Sequence, residues 1–179
     1  MQGMLVDYRL GTAIIGSLFS TCAWSAQYEV QVRVIVERGC QLVGTTRDAG
    51  VDYLGLLDFG STARLDGPSA PLGATLINAR LPRLECNPDT TYQIQVDGGQ
   101  HGGTADVRYL ALGPGSPPIP YRLFRDPARQ IPLPVNVPVS GTVPDTGSVA
   151  LPLYGRIEAL AQIPPVGLYA DLLKVTLTW

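Results

Sequence analysis

AQYEVQVRVIVERGC, residues 26–40, places Tyr28, Val30, Val32, Val34 and Val36 at a strict spacing of two, with Glu29, Gln31, Arg33 and Ile35 between them. Alternate residues of an extended chain point to opposite faces, so this is the pattern of a half-buried β-strand, and its β-branched content agrees. The rest of the chain repeats that pattern in shorter form. Further strands are expected over residues 40–43, 54–59, 74–86, 92–96, 107–112, 121–124, 149–157 and 168–179. Asn87-Pro88-Asp89, Asp97-Gly98-Gly99, the stretch 113–118 and Pro164-Pro165 punctuate them. Eight or nine short strands at this spacing predict an all-β sandwich with long loops. No stretch reads as a helix of three turns, and no internal repeat or linker divides the chain.

Composition agrees with the pattern. Of 179 residues, 20 are glycine and 16 proline, a density that breaks helices, since these residues cost ~1 and ~3 kcal/mol in a helix interior. The chain is 45% apolar and 16% charged, a globular balance and too apolar for disorder. A net charge of −2 with no basic cluster leaves no electrostatic footprint for nucleic acid.

Outward from the valine row, the N-terminal side reads as an export signal. Arg9 precedes the apolar run LGTAIIGSLFSTCAW, residues 10–24, too short to span a bilayer comfortably and the right size for a secretory signal. Ala23 and Ser25 fit the small-x-small rule for cleavage, so the exported chain is expected to begin at Ala26. Cys22 leaves with the signal. Cys40 and Cys86 then remain together in an oxidising compartment, and a disulfide is the economical reading, with two separate buried thiols as the alternative. Such a bridge needs Cα atoms about 4.4–6.8 Å apart.

The other end closes on LYADLLKVTLTW, residues 168–179. There Leu173, Val175, Leu177 and Trp179 alternate with Lys174, Thr176 and Thr178. An amphipathic strand at a terminus is expected to be paired, because a bare edge invites aggregation.

Residues for catalysis are scarce. His101 is the one imidazole and lies in Gly98-Gly99-Gln100-His101-Gly102-Gly103, a run that follows a strand but precedes no helix, so it lacks the N-terminus that makes such a loop hold phosphate. Asp58, Asp97 and Asp171 each neighbour a turn or strand end, where aspartates commonly accept bonds from nearby backbone N–H groups. No catalytic residue, metal site or cofactor is expected.

Several pieces stand in a telling order. They are Gly39-Cys40 after the valine row, Leu57-Asp58-Phe59-Gly60, Leu84-Glu85-Cys86, and Tyr92 leading to Asp97-Gly98-Gly99. Tyr121-Arg122-Leu123-Phe124-Arg125-Asp126, Leu153-Tyr154-Gly155-Arg156-Ile157 and Gly167-Leu168-Tyr169-Ala170-Asp171 complete the series. In this set the chain resembles the spore coat U family, which includes subunits of archaic (Csu-type) chaperone–usher pili.

The resemblance implies an immunoglobulin-like β-sandwich that lacks its last strand and is completed by donor-strand addition. It implies a signal peptide over residues 1–25, a donor segment over 26–38 and a pilin domain over 39–179. Tyr28, Val30, Val32, Val34 and Val36 would form the donor row. Burying each is worth ~1.5–3 kcal/mol, roughly 8–15 for the row before ordering costs. The strand carrying Leu173, Val175, Leu177 and Trp179 would pair first with a periplasmic chaperone. Neighbouring pilin subunits, that chaperone and an outer-membrane usher are the implied partners, in a cell-surface pilus supporting adhesion and biofilm formation. Three alternatives stay open: a secreted coat protein, a sugar-binding or hydrolytic sandwich, and an N-terminal strand that pairs within its own domain.

Overall fold

The computed structural model describes residues 27–35, 39–48, 50–67, 70–77 and 80–179. The expected signal, the cleavage site and Val36 lie outside them. The chain divides into two units, Met1–Val36 and Glu37–Trp179.

In the second unit the first strands are β1 (Cys40–Val43), β2 (Thr46–Asp48), β3 (Val51–Tyr53), β4 (Leu56–Leu57) and β5 (Leu72–Ile77). They are followed by β6 (Arg83–Cys86), β7 (Thr91–Val96), β8 (Gly103–Thr104), β9 (Val107–Leu110) and β10 (Ile119–Phe124). The series ends with β11 (Val139–Thr142), β12 (Ser148–Ala150), β13 (Tyr154–Ile157) and β14 (Val175–Thr178). None of the described residues is helical. One layer is a six-stranded sheet in the order β4-β5-β13-β10-β9-β8; the sheet β11-β7-β14 packs against it through Val96, Val139 and Val175, and β1-β6-β12 forms a further three-stranded sheet. All named ladders are antiparallel. The protein is an all-β sandwich, as its patterning predicts.

The core lies where the alternation points. Ile119, Tyr121 and Leu123 of β10, Leu76 of β5, Ile157 of β13 and Val96 of β7 are buried in one cluster with Leu65, Leu133 and Leu153. Two of the ordered sequence pieces meet there. Leu57 and Phe59 pack over Gly155, where a Cβ would lie 2.7 and 2.6 Å from their side chains, so the middle of β13 has no room for a side chain. The Phe59 ring in turn meets Tyr121 edge-on, with centroids 6.1 Å apart.

Five expected strands are shorter or broken: 54–59 is laddered only at Leu56–Leu57 and 107–112 only at Val107–Leu110. The stretch 74–86 divides into β5 and β6, which lie in different sheets with the buried Pro82 ahead of β6. The stretch 149–157 divides likewise into β12 and β13 at Pro152. The alternation nevertheless runs on, with Leu76, Pro82 and Leu84 all buried, although the hydrogen-bond partners change. Of 168–179, only Val175–Thr178 is laddered. The hairpin β2–β3 and the strands β8 and β11 carry too little apolar alternation to be read in advance.

Cys40 and Cys86 form the disulfide. They are direct partners in the β1–β6 register, and the Cys86 N–H turns away from β1 to donate to Gly147 O at 2.9 Å. The pair is therefore of the non-hydrogen-bonded kind, in which backbones approach most closely. This accounts for a Cα separation of 4.1 Å, just below the expected window. Replacing both cysteines by serine is expected to remove about 4 kcal/mol of stability on the chain-entropy account of a bridge this long. Urea unfolding with and without reductant checks it; coincident curves would refute the contribution.

Candidate functional site

β6 and β7 run in succession through the turn at residues 87–90, and along one flank they carry β12 and β11. Bonds from Asp89 N to Val143 O (3.0 Å) and from Val143 N to Thr90 O (2.9 Å) join those two ladders. The opposite flank carries β1 on β6 and β14 on β7, so β14 and β1 lie along the same edge, both antiparallel to residues 83–96.

β14 pairs with β7 in the register Val175↔Val96, Thr176↔Gln95, Leu177↔Ile94 and Thr178↔Gln93. It is the last strand of its sheet, so its outer N–H and C=O groups face no ladder among the described residues. Leu173 and Val175 pack against the core and Leu177 is half-buried, whereas Lys174, Thr176 and Thr178 are exposed. The expected row is therefore present from Leu173 to Leu177. Trp179 departs from it: it follows the last laddered residue and is 57% exposed. An edge strand with a half-buried apolar row and open backbone groups is chemically a template for one more strand.

Residues 27–35 of the first unit present the complementary pattern. They enter no ladder, and Tyr28, Val30, Val32 and Val34 are all exposed, Val32 by 90%. The expectation of a half-buried strand is corrected here. A strand exists by virtue of a partner, and none of these residues has a ladder partner among the described residues.

A side chain that alternation failed to flag organises the end of the sandwich. Arg108 in β9 is fully buried opposite Tyr121, although Val107 and Tyr109 are the apolar pair that a two-residue period would turn inward. Its guanidinium donates to Asp97 O (2.7 Å), Leu133 O (3.0 Å), Val96 O (3.1 Å) and Pro134 O (3.3 Å). Leu133 bonds to β10 while Val135 bridges Val96 of β7, so this segment crosses between the layers. Crossing carbonyls leave their ladders, and Arg108 supplies donors to them; Val96 O also takes Asn136 N at 2.9 Å. Burial lowers the Arg108 pKa from its ordinary value, against the pull of Tyr121, Asp97, Asp171 and Asp106.

The three aspartates bind backbone as anticipated. Asp58 accepts from Gly60 N (2.8 Å), Asp97 from Gly99 N (3.0 Å) and Lys174 N (2.9 Å), and Asp171 from Gln100 N (2.8 Å) and Leu172 N (3.0 Å). Asp171 also accepts from the Tyr121 hydroxyl at 2.7 Å. Burial, then this bond, raises the Tyr121 pKa well above that of an ordinary phenol. The glycine-rich run leads into strand β8 and seats Asp171: a Cβ on Gly99, whose φ is +77°, would meet the carboxylate. His101 is exposed in that loop. Among the described residues no group of three or more His, Cys, Asp or Glu side chains converges on a point, and no helix is long and apolar enough to cross a membrane.

The sequence model of the family described as the Spore Coat Protein U domain matches residues 26–176. No curated protein matches the chain.

Proposed function

The chain belongs to the Spore Coat Protein U family, whose members are surface-structural, pilin-type proteins, and from that premise we propose that it is a fibre subunit polymerising by donor-strand exchange. In this reading residues 1–25 are an export signal, residues 26–38 the donor segment and residues 39–179 the acceptor sandwich. The donor row Tyr28, Val30, Val32, Val34 and Val36 adds to the β14 edge of a neighbouring subunit. A periplasmic chaperone occupies that edge first and an outer-membrane usher catalyses the exchange; the assembled pilus supports adhesion and biofilm formation.

The observation that carries the reading is the C-terminal strand. β14 is laddered on one side, yet Leu173 and Val175 already line the core. Main-chain bonds would give an added strand its affinity and alternate side chains its specificity, and residues 27–35 offer both. The family's other role, a secreted coat protein, shares these parts and is separated by whether chaperone and usher genes neighbour this one.

Appending a second copy of residues 26–38 after Trp179 through a flexible linker is expected to convert a self-associating chain into a cooperatively folding monomer. Size-exclusion chromatography and urea unfolding read the result. A parent chain that is already a long-lived monomer, with no gain from the appended copy, would remove the basis for strand addition.

A further inference from the structure

β14 has four laddered residues and is held in a ladder along one flank. A strand so short, laddered on one side, frays easily unless something other than the ladder holds its start. The residues before it show what does. Ala170 exchanges two backbone bonds of 3.0 Å with Ala111, at the end of β9 in the six-stranded sheet. Val175 is already paired with β7 in the facing layer. The intervening residues therefore cross the space between stacked sheets, about 10 Å, which no ladder spans.

Side chains bridge it instead. The Asp171 carboxylate takes the Tyr121 hydroxyl (2.7 Å) on one oxygen, and Gln100 N (2.8 Å) and Leu172 N (3.0 Å) on the other. Asp97 holds Lys174 at both ends, its carboxylate accepting from Lys174 N (2.9 Å) and its own N–H donating to Lys174 O (3.1 Å). A carboxylate that merely capped its own turn would not reach a buried tyrosine on β10, fifty residues away in sequence. Tyr121 is 3% exposed and packed in the core cluster, so its hydroxyl is a fixed point.

We propose that Asp171 is a positioning residue for strand addition, locking the start of β14 to the Tyr121 hydroxyl and the Gly99–Gln100 turn so that Leu173, Val175 and Leu177 keep their register while the outer edge is empty. The inference rests on the strand-addition reading and concerns a different link, the readiness of the acceptor edge.

Hydrogen exchange on the purified chain, with and without an appended copy of residues 26–38, tests it. Asp171→Ala is expected to speed exchange of the amides of residues 172–178 by about tenfold or more, leaving β10 and β13 at parental rates. In the appended chain it is expected to weaken protection of the added segment as well. Asp171→Asn keeps an acceptor for Gln100 and Leu172 and should recover most of the protection; a role in bulk stability alone would instead speed exchange uniformly. Should Asp171→Ala fail to fold, Tyr121→Phe, which removes only the hydroxyl, decides by the same local readout. Parental exchange at residues 172–178 in the variants overturns the inference even if the added segment is protected. An appended segment unprotected in the parent refutes strand addition, and the lock is then judged on β14 in the chain without it.

Discussion

Arg108→Met is expected to destabilise the sandwich severely. Two effects oppose each other. Methionine removes the penalty of holding a charge inside the sandwich, and replacing buried ions by apolar groups is often harmless when both partners are replaced together. Here the partners are main-chain carbonyls of Val96, Asp97, Leu133 and Pro134, which no substitution deletes. Val96 O keeps a second donor in Asn136 N (2.9 Å), but each of the other acceptors stranded without water costs about 1–3 kcal/mol, so the loss exceeds the relief. A net loss of about 3–5 kcal/mol is a large share of the 5–15 that an ordinary domain has. Arg108→Lys is expected to be intermediate, because a compact ammonium cannot fork to four carbonyls. Soluble yield and urea midpoints measure both. A parental midpoint for Arg108→Met would mean that the crossing carbonyls find other donors.

Val32→Asp carries the second large effect, on assembly and not on folding. Val32 stands mid-row and is 90% exposed, so a carboxylate there meets water and leaves the stability of its own sandwich unchanged. Carried into an apolar groove of a neighbouring subunit, the same carboxylate costs several kcal/mol or must neutralise itself. The expected outcome is a normal yield of soluble chaperone complex with surface fibres abolished. Gln31→Ala and Arg33→Ala alter the opposite face of the segment and should be mild. Recovery of the complex and fibre counts by electron microscopy provide the readout. Normal fibre abundance would refute the donor role, and loss of both complex and fibres would place the segment in its own subunit's core.

What could be read in advance follows from range. A two-residue period is a local property, so the all-β class, the half-buried row at Leu173, Val175 and Leu177, and the strand around Tyr121 were legible from neighbours alone. The Cys40–Cys86 pairing was legible because the expected loss of Cys22 with an export signal leaves those two cysteines together. Arg108 was not legible. Its partners lie at Val96, Asp97, Leu133 and Pro134, and nothing beside it in sequence announces that two segments cross above it. Asp171 was visible as part of a recognisable run, but its tie to Tyr121 depends on how two layers stack. The division of 74–86 into β5 and β6 was hidden for a related reason: apolar residues are buried in both halves, and hydropathy does not register a change of hydrogen-bond partner.

The covalent bridge has a mechanical consequence. In the proposed fibre of exchanged strands, tension would enter each sandwich at Gly39, where residues 26–38 join it, and would leave through whatever is paired with β14. Cys40 is bonded to Cys86, and Cys86 continues through the turn at residues 87–90 into β7, the strand that carries β14. The load path therefore runs from disulfide to main chain to one antiparallel ladder pulled in shear, along a single edge. The six-stranded sheet joins that path only where Ala170 and Asp171 fasten the start of β14 to Ala111 and Tyr121. Under pulling, the subunit is then expected to yield by sliding of β14 against β7 before its interior is strained, and reduction of the bridge would reroute the force through β1 into the rest of the sandwich.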